Sequence, residues 1–351
     1  MDRLVMVDCR TTTDDRGNPI GHGIKVANEY GDLLIDDFQL RYYLNAEVES
    51  FCRSNDVCVI GKSPEKVSDK FKKLVAYYKA IKYVYREERN SNVWFYVPDF
   101  YIYLFLLLIP KGKRHISVTV YEDFCNSRIK HFVFDRLMKK IDLAIVTNQY
   151  YNNCASNTVE ITDFIYSDDR YRAYNKDHKK DLVVCLGTMN VKKKLHEAVK
   201  VFAQNGYSLL IAGQFTDKKM YDQLMAEKTD NIIIEDRYID ENEYYAILGE
   251  AKYSLIPYDA EFYKNRTSGV IQESAFVGAI PITCQSILDF SGLRGVGYES
   301  INDLQLPDEA ECHDISEFNN RVVDLHYDYR SVQKKLVEAF KGICEGIDYE
   351  Y

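Results

Sequence analysis

Short apolar runs of β type recur through the second half of the chain: LVVCL from Leu182, SLLIA from Ser208, NIII from Asn231, YSLI from Tyr253 and AIPIT from Ala279. Their starts lie 26, 23, 22 and 26 residues apart, the length of one strand, one helix and two loops. Helical patterns fill the intervals. Leu195, Ala198, Val199 and Phe202 recur at i, i+3, i+4 and i+7, and Tyr244, Tyr245, Ile247 and Leu248 line another helix face. Strands alternating with helices predict right-handed βαβ units and a parallel sheet. The runs are apolar throughout rather than alternating, as burial on both faces requires.

The first half repeats the theme less cleanly. Strands are expected at Leu4–Asp8, Val57–Ile60, Val93–Val97, Ile116–Val120 and Leu143–Thr147. Helices are expected near 23–30, 38–51, 66–85, 100–109 and 128–140. The stretch Tyr166 to Asp181 is polar, charged and without period, and reads as a boundary between two α/β halves. The expected layout is 1–170, 171–325 and a helical tail, 326–351, that packs back on the first domain.

Composition narrows the class. With 351 residues, 46% apolar and 28% charged, the chain can fill two cores, and neither a disordered nor a coiled-coil chain fits. A net charge of −9 argues against a general nucleic-acid binder. Nine cysteines without any C-x-x-C read as reduced thiols and suggest a cytosolic compartment. The start offers few apolar residues before Arg10, too few for a signal-peptide core. The longest apolar run, Phe100 to Ile109, is short of the roughly 20 residues that span a bilayer. A cytoplasmic location is therefore expected.

Several chemistries lose ground for want of a motif. There is no phosphate-cradling P-loop, no G-x-G-x-x-G, no H-E-x-x-H and no G-x-S-x-G. No two aspartates stand two apart, and seven histidines are scattered without metal spacing, so no bound metal is expected.

Tyr253 to Thr283 is the informative segment. A strand ends in Pro257, a polar loop follows, a helix opens around Ser268-Gly269, and Gly278 leads into the next strand. A helix N-terminus offers N–H groups and a positive dipole end, a natural seat for a diphosphate. Arg266 stands just before it and can add a phosphate contact, while Glu273, about a turn on, can accept the hydroxyls of a ribose. Each residue also has a plainer reading. Glu273 would then be a solvated helix residue, Lys192 to Lys194 a solvated helix start, Arg266 a surface ion-pair partner, and Gly213 a strand-to-loop glycine.

The arrangement Gly187, Lys193, Gly213, Pro257, Ser268 to Ser274 and Gly278 to Ile282 resembles the carboxyl-terminal domain of glycosyltransferase family 4. The likeness covers about residues 182–285; the first half matches only in the order and spacing of its elements. It implies a GT-B fold, α/β in class, with two Rossmann-like doubly wound domains, the first for the acceptor and the second for the donor. It implies retaining transfer of a sugar from a nucleoside diphosphate (UDP- or GDP-sugar) to a saccharide or lipid-linked glycan acceptor, in surface polysaccharide or glycan synthesis, with no metal and no cofactor. The implied donor-binding set is Gly187, Thr188, Lys193, Arg266, Ser268, Gly269 and Glu273, with Lys193 and Arg266 catalytic. Gly21, His22, Glu122 and Asp123 are the implied acceptor or sugar contacts, although a plain loop histidine explains His22 equally well.

Two departures stand out. The family carries E-x7-E; Glu273 matches the second glutamate, but Asn265 takes the place of the first, so handling of the donor sugar differs. Thr188 stands where the family has an arginine, and Arg266 can replace that charge. The lost glutamate keeps open a rival, a non-catalytic GT-B module that binds a partner glycosyltransferase. A sugar-nucleotide epimerase of similar fold fits the transferase pattern less well.

One motif lies outside this scheme. Lys62 to Arg89 holds nine Lys/Arg against four acids, with the apolar run Phe100 to Ile109 and Lys111, Lys113 and Arg114 nearby. It reads either as a patch for peripheral contact with an anionic membrane or as an ordinary covering helix with its charges in water.

Overall fold

The computed structural model describes residues 2–21, 23–148, 151, 155–161, 173–263, 266, 268–326 and 329–345. The chain divides into two compact units: Met1–Ile165 together with Tyr329–Tyr351, and Tyr166–Asp328. The boundary expected at 170/171, like His22 and Asn265, lies outside the described residues.

In the first unit the chain runs β1 (Asp2–Val7), β2 (Thr12–Thr13), β3 (Pro19–Ile20), α1 (Gly23–Leu34), β4 (Phe38–Leu44) and β5 (Val57–Val59). It continues through α2 (Lys70–Glu87), β6 (Asn92–Phe95), α3 (Phe100–Leu108), β7 (His115–Val120), α4 (Arg128–Met138), β8 (Leu143–Val146) and β9 (Thr158–Glu160). Seven strands form one sheet in the order β5-β4-β1-β6-β7-β8-β9, each neighbouring pair parallel. The direction of strand addition reverses at β1. Right-handed crossovers therefore place α1 on one face and α2, α3 and α4 on the other. Loop residues between β1 and α1 fold into a small antiparallel hairpin, β2–β3, turned by Gly17 at φ +86° and by Asp14, whose carboxylate accepts from the Arg16 and Asn18 amides.

The second unit holds β10 (Lys180–Leu186), α5 (Leu195–Asn205), β11 (Leu209–Gly213), α6 (Lys218–Glu227), β12 (Ile232–Asp236), α7 (Glu241–Glu250) and β13 (Ala251–Leu255). Next come α8 (Ala260–Tyr263), α9 (Gly269–Phe276), β14 (Ile280–Cys284), α10 (Gln285–Ser291), β15 (Val296–Tyr298) and α11 (Glu309–His326). Its six parallel strands run β12-β11-β10-β13-β14-β15, reversing between β10 and β13. The final helix, α12 (Tyr329–Glu345), belongs to the first unit. Its Val332, Leu336, Ala339, Phe340 and Ile343 share a core with α1 and with Leu4, Met6 and Trp94 of the sheet.

One expectation is overturned. Residues 38–51 do not form a helix: Phe38–Leu44 is strand β4, followed by a 3₁₀ turn at Glu49–Phe51. The aromatic run FQLRYYL suits a pleated surface, and pairing with β1 and β5 on both sides overrides the accidental helical spacing. Among the described residues, no helix is long and apolar enough to cross a membrane.

Candidate nucleotide-sugar site at the edge of the second sheet

In an open doubly wound sheet, ligands bind beyond the carboxyl ends of the strands where the strand order reverses. In the second unit that point lies between β10 and β13. The loops leaving these two strands are laced together: the Lys194 amide donates to the Pro257 carbonyl (2.7 Å), and the Asp259 amide to that of Lys192 (3.1 Å). The lysine run therefore lies along the Pro257 loop. Gly187, at φ +92°, turns the chain out of β10. Gly213 ends β11 at φ +148°, and a Cβ there would stand 1.8 Å from the Gly187 carbonyl oxygen, so only glycine lets the two strand ends pass.

The three lysines have different surroundings. Lys193 points inward: it is 8% exposed, and its Nζ donates to the Leu186 carbonyl (3.0 Å) and contacts Met189 Sδ (3.8 Å). Burial lowers its pKa below the ordinary lysine value, opposed in part by the Cys185 thiol. Lys194 meets Asp259 at 3.6 Å. Lys192 is exposed, with its ammonium 3.7 Å from the centre of the Phe262 ring. The Arg266 guanidinium lies 4.2 Å from that ring, so Phe262 gathers two cations at one spot. Sequence spacing singled out Lys193; the lysine that shares the Phe262 ring with Arg266 is Lys192. Phe262 gave no sequence signal, being one of three aromatic residues, with Tyr258 and Tyr263, in a short polar stretch.

Ser268 is the N-cap position of α9 and is buried, but its side chain makes no cap bond. Glu273, in the second turn, is 7% exposed. Tyr244 donates to its Oε2 (2.7 Å) and Tyr245 to its Oε1 (2.9 Å). Both tyrosines come from α7, whose start is fixed by Asp240 accepting from the Glu243 amide. Burial and then the Glu273 carboxylate push the Tyr244 phenol up, which keeps it a donor. A carboxylate has about four acceptor positions, so two tyrosine donors hold Glu273 in place without by themselves saturating it. The sequence marked these tyrosines as a helix face, not as the support of Glu273. Thr188 is exposed at the same edge. A cavity of about 120 Å³ lies between Lys194, Tyr258, Cys284 and Tyr298. That is well under the roughly 300–1,000 Å³ of ligand pockets.

The expected acceptor contacts lie in the first unit. Gly21 is exposed, at φ +80°. Asp123 is buried and accepts from the Cys125 amide (3.1 Å), while its carbonyl meets His131 Nδ1 (2.7 Å), bonds that fix the turn after β7. Glu122 is half-buried beside it. Sequence reading missed Asp8 at the end of β1. It is 1% exposed and accepts from the amides of Arg10 (2.7 Å) and Thr11 (2.9 Å), and burial raises its pKa above the usual carboxylate value in spite of these bonds.

No protein-family model matches this chain, and no curated protein matches it. Solved structures do. HepE of Anabaena, crystallised with UDP and glucose, is similar over 97% of this chain and 100% of its own, at 10% identity and TM-score 0.68. A UDP-forming α,α-trehalose-phosphate synthase from Burkholderia vietnamiensis covers 100% of both chains at 11% identity and TM-score 0.68. A putative UDP-N-acetylglucosamine 2-epimerase from Listeria monocytogenes also covers both fully, at 11% identity and TM-score 0.61. With two parallel-sheet α/β units matched along their whole length, this chain has the GT-B fold.

Proposed function

We propose that the protein is a retaining glycosyltransferase. It moves a sugar from a UDP- or GDP-linked donor to a saccharide or lipid-linked glycan acceptor in the cytoplasm, without a bound metal, as a step in surface polysaccharide or glycan synthesis. The observation that supports this most is Glu273, a buried carboxylate held by two tyrosines one turn behind an N-terminus that opens at the sheet's reversal point. A diphosphate on that N-terminus puts its ribose within reach of Glu273. Likeness to a protein crystallised with UDP and glucose favours UDP.

Charge gathers on the leaving diphosphate as the sugar–oxygen bond breaks. Lys192 offers a cation to it at the surface and half-buried Arg266 a second, Lys193 offers one from beneath the loop, and the α9 N-terminus adds its dipole. Gly187, Thr188, Ser268 and Gly269 supply backbone and small side chains that let a phosphate approach. Gly21, His22, Glu122 and Asp123 are retained as acceptor or sugar contacts.

Calorimetric titration with UDP, GDP and ADP tests the donor. Release of nucleoside diphosphate with and without acceptor extract tests transfer. Nucleotide binding without any release would favour the non-catalytic module, which the inward bonding of Lys193 also suits. Loss of transfer in EDTA, restored by a divalent ion, would remove the metal-free part.

A further inference from the structure

The helix layer over one face of the first sheet leaves its most apolar member open. Helix α3 reads FYIYLFLLL, without a charged residue, yet only Ile102, Tyr103 and Leu106 are buried. Its ends are fixed independently of burial. Asp99 caps the start by accepting from the Ile102 amide, and Lys140 Nζ donates to the carbonyls of Leu106, Leu107 and Ile109 at the end. Leu108 is 64% exposed; on α4, Ile129 is 76% and Phe132 58% exposed, and on α2 Phe71 and Tyr78 are open as well. Single exposed apolar residues are ordinary, but five on three adjacent helices form a patch. Helix α3 packs against both of its neighbours.

Cations frame the patch. Helices α2 and α4 carry nine Lys/Arg against two acids, in a chain whose net charge is −9. Several of these lie against the aromatic rings: Lys82 is 5.7 Å from the Tyr78 ring, Lys130 is 5.5 Å from Phe100, and Arg136 is 5.2 Å from Phe132. Two basic residues that the sequence grouped with them do not take part. Lys111 pairs with Asp142 (2.6 Å), and Arg114 donates to the carbonyls of Glu88 and Lys111.

We propose that the α2–α3–α4 face of the first unit seats on the surface of an anionic lipid bilayer. Aliphatic and aromatic side chains enter the headgroup region, while lysines and arginines beside them meet anionic headgroups. Such attachment requires no catalytic activity and so stands or falls apart from the glycosyltransferase reading.

The test is co-sedimentation of the full chain with vesicles of phosphatidylcholine alone and of phosphatidylcholine mixed with phosphatidylglycerol. Binding is expected to the mixed vesicles only, and to fall roughly tenfold or more from low to high salt as the charges are screened. Lys72→Glu with Lys79→Glu and Lys82→Glu should abolish it. Ile129→Asp with Phe132→Asp should weaken it about tenfold, whereas Ile233→Asp, on an exposed strand position of the second unit, should leave it unchanged. Thermal melts check that each variant is folded. Three results would overturn the proposal: no binding to mixed vesicles at low salt, equal binding to neutral ones, or binding indifferent to both variants. A concentration-dependent dimer that Ile129→Asp dissolves, without vesicle binding, would assign the face to a second copy of the chain instead.

Discussion

The two sheets share one winding scheme yet differ in the charge at their reversal points. In each, the first strand is central, β1 between β4 and β6 and β10 between β11 and β13. Beyond β1 a buried ionisable group is the Asp8 carboxylate, with Glu122 and Asp123 beyond β7; beyond β10 it is Lys193, with exposed Lys192 and half-buried Arg266 beside Phe262. The same topology thus buries a carboxylate at one edge, the acidic one, and an ammonium at the other, the basic one, each with a charge of opposite sign nearby, Arg10 and Asp259. The proposed reaction places the diphosphate at the second, where cations and a helix N-terminus meet, and the hydroxyl-rich acceptor at the first. Fold alone does not choose between these; the side chains do.

The comparison breaks most easily at the basic edge. Arg266→Ala and Lys193→Ala should each lower kcat by roughly 10²–10³, about 2.7–4 kcal/mol of barrier, with little change in donor affinity, because they answer charge that grows in the transition state. Steady-state transfer beside calorimetric donor binding checks this. The lowered pKa of Lys193 gives the pH sign: turnover should fall as pH rises, and at lower pH than an ordinary lysine would dictate. Lys192→Ala sharpens the reading. If it, and not Lys193→Ala, removes turnover, the surface cation beside Phe262 is the catalytic one.

The crossing of Gly187 and Gly213 predicts a stability effect. Gly213→Ala forces a Cβ against the Gly187 carbonyl and a φ that side chains rarely adopt, so a loss of about 1–3 kcal/mol or more is expected in denaturant titration. Gly187→Ala meets no atom within 4 Å and should cost less, through its φ of +92° alone.

The sequence was legible where one physical pattern dominated. The evenly spaced apolar runs from Leu182 to Ala279 became β10 to β14, because central strands covered on both faces must be apolar along their length; the edge strand β12 leaves one apolar residue, Ile233, open. It was illegible where tertiary partners decide. Strand β4 owes its form to β1 and β5, and nothing in FQLRYYL announces them. Lys193 and Lys192 are neighbours in a run of three, and only the lacing of two loops sends one inward and the other to Phe262. The support of Glu273 joins side chains 28 and 29 residues apart in the sequence.

That support gives a smaller, graded expectation. Glu273→Gln should weaken free nucleotide about tenfold, about 1.4 kcal/mol, as a charge-assisted acceptor becomes an amide. Tyr244→Phe and Tyr245→Phe each remove one hydrogen bond to the carboxylate but leave its charge in place for the ribose, and should weaken it less than Glu273→Gln does, by about threefold or less. Calorimetry on the three variants orders them. Equal losses for all would mean that the tyrosines contact the nucleotide themselves.

At the acidic edge the expected effect is the smallest, and its sign follows from linkage. Burial raises the pKa of Asp8 in the folded protein above its unfolded value, although the Thr11 side chain and the Thr11 and Arg10 amides oppose this. Between those two values the native state holds more protons than the unfolded one, so stability falls as pH rises through that window. Above the raised pKa the cost of burying the charge is felt in full. Asp8→Asn keeps an oxygen for the Arg10 and Thr11 amides but can never ionise. Its melting temperature relative to wild type should therefore rise from acid to neutral pH and then level off. A constant difference across that range would mean that Asp8 titrates as an ordinary carboxylate. The acidic edge would then be a solvated one, and its contrast with the buried lysine beyond β10 would vanish.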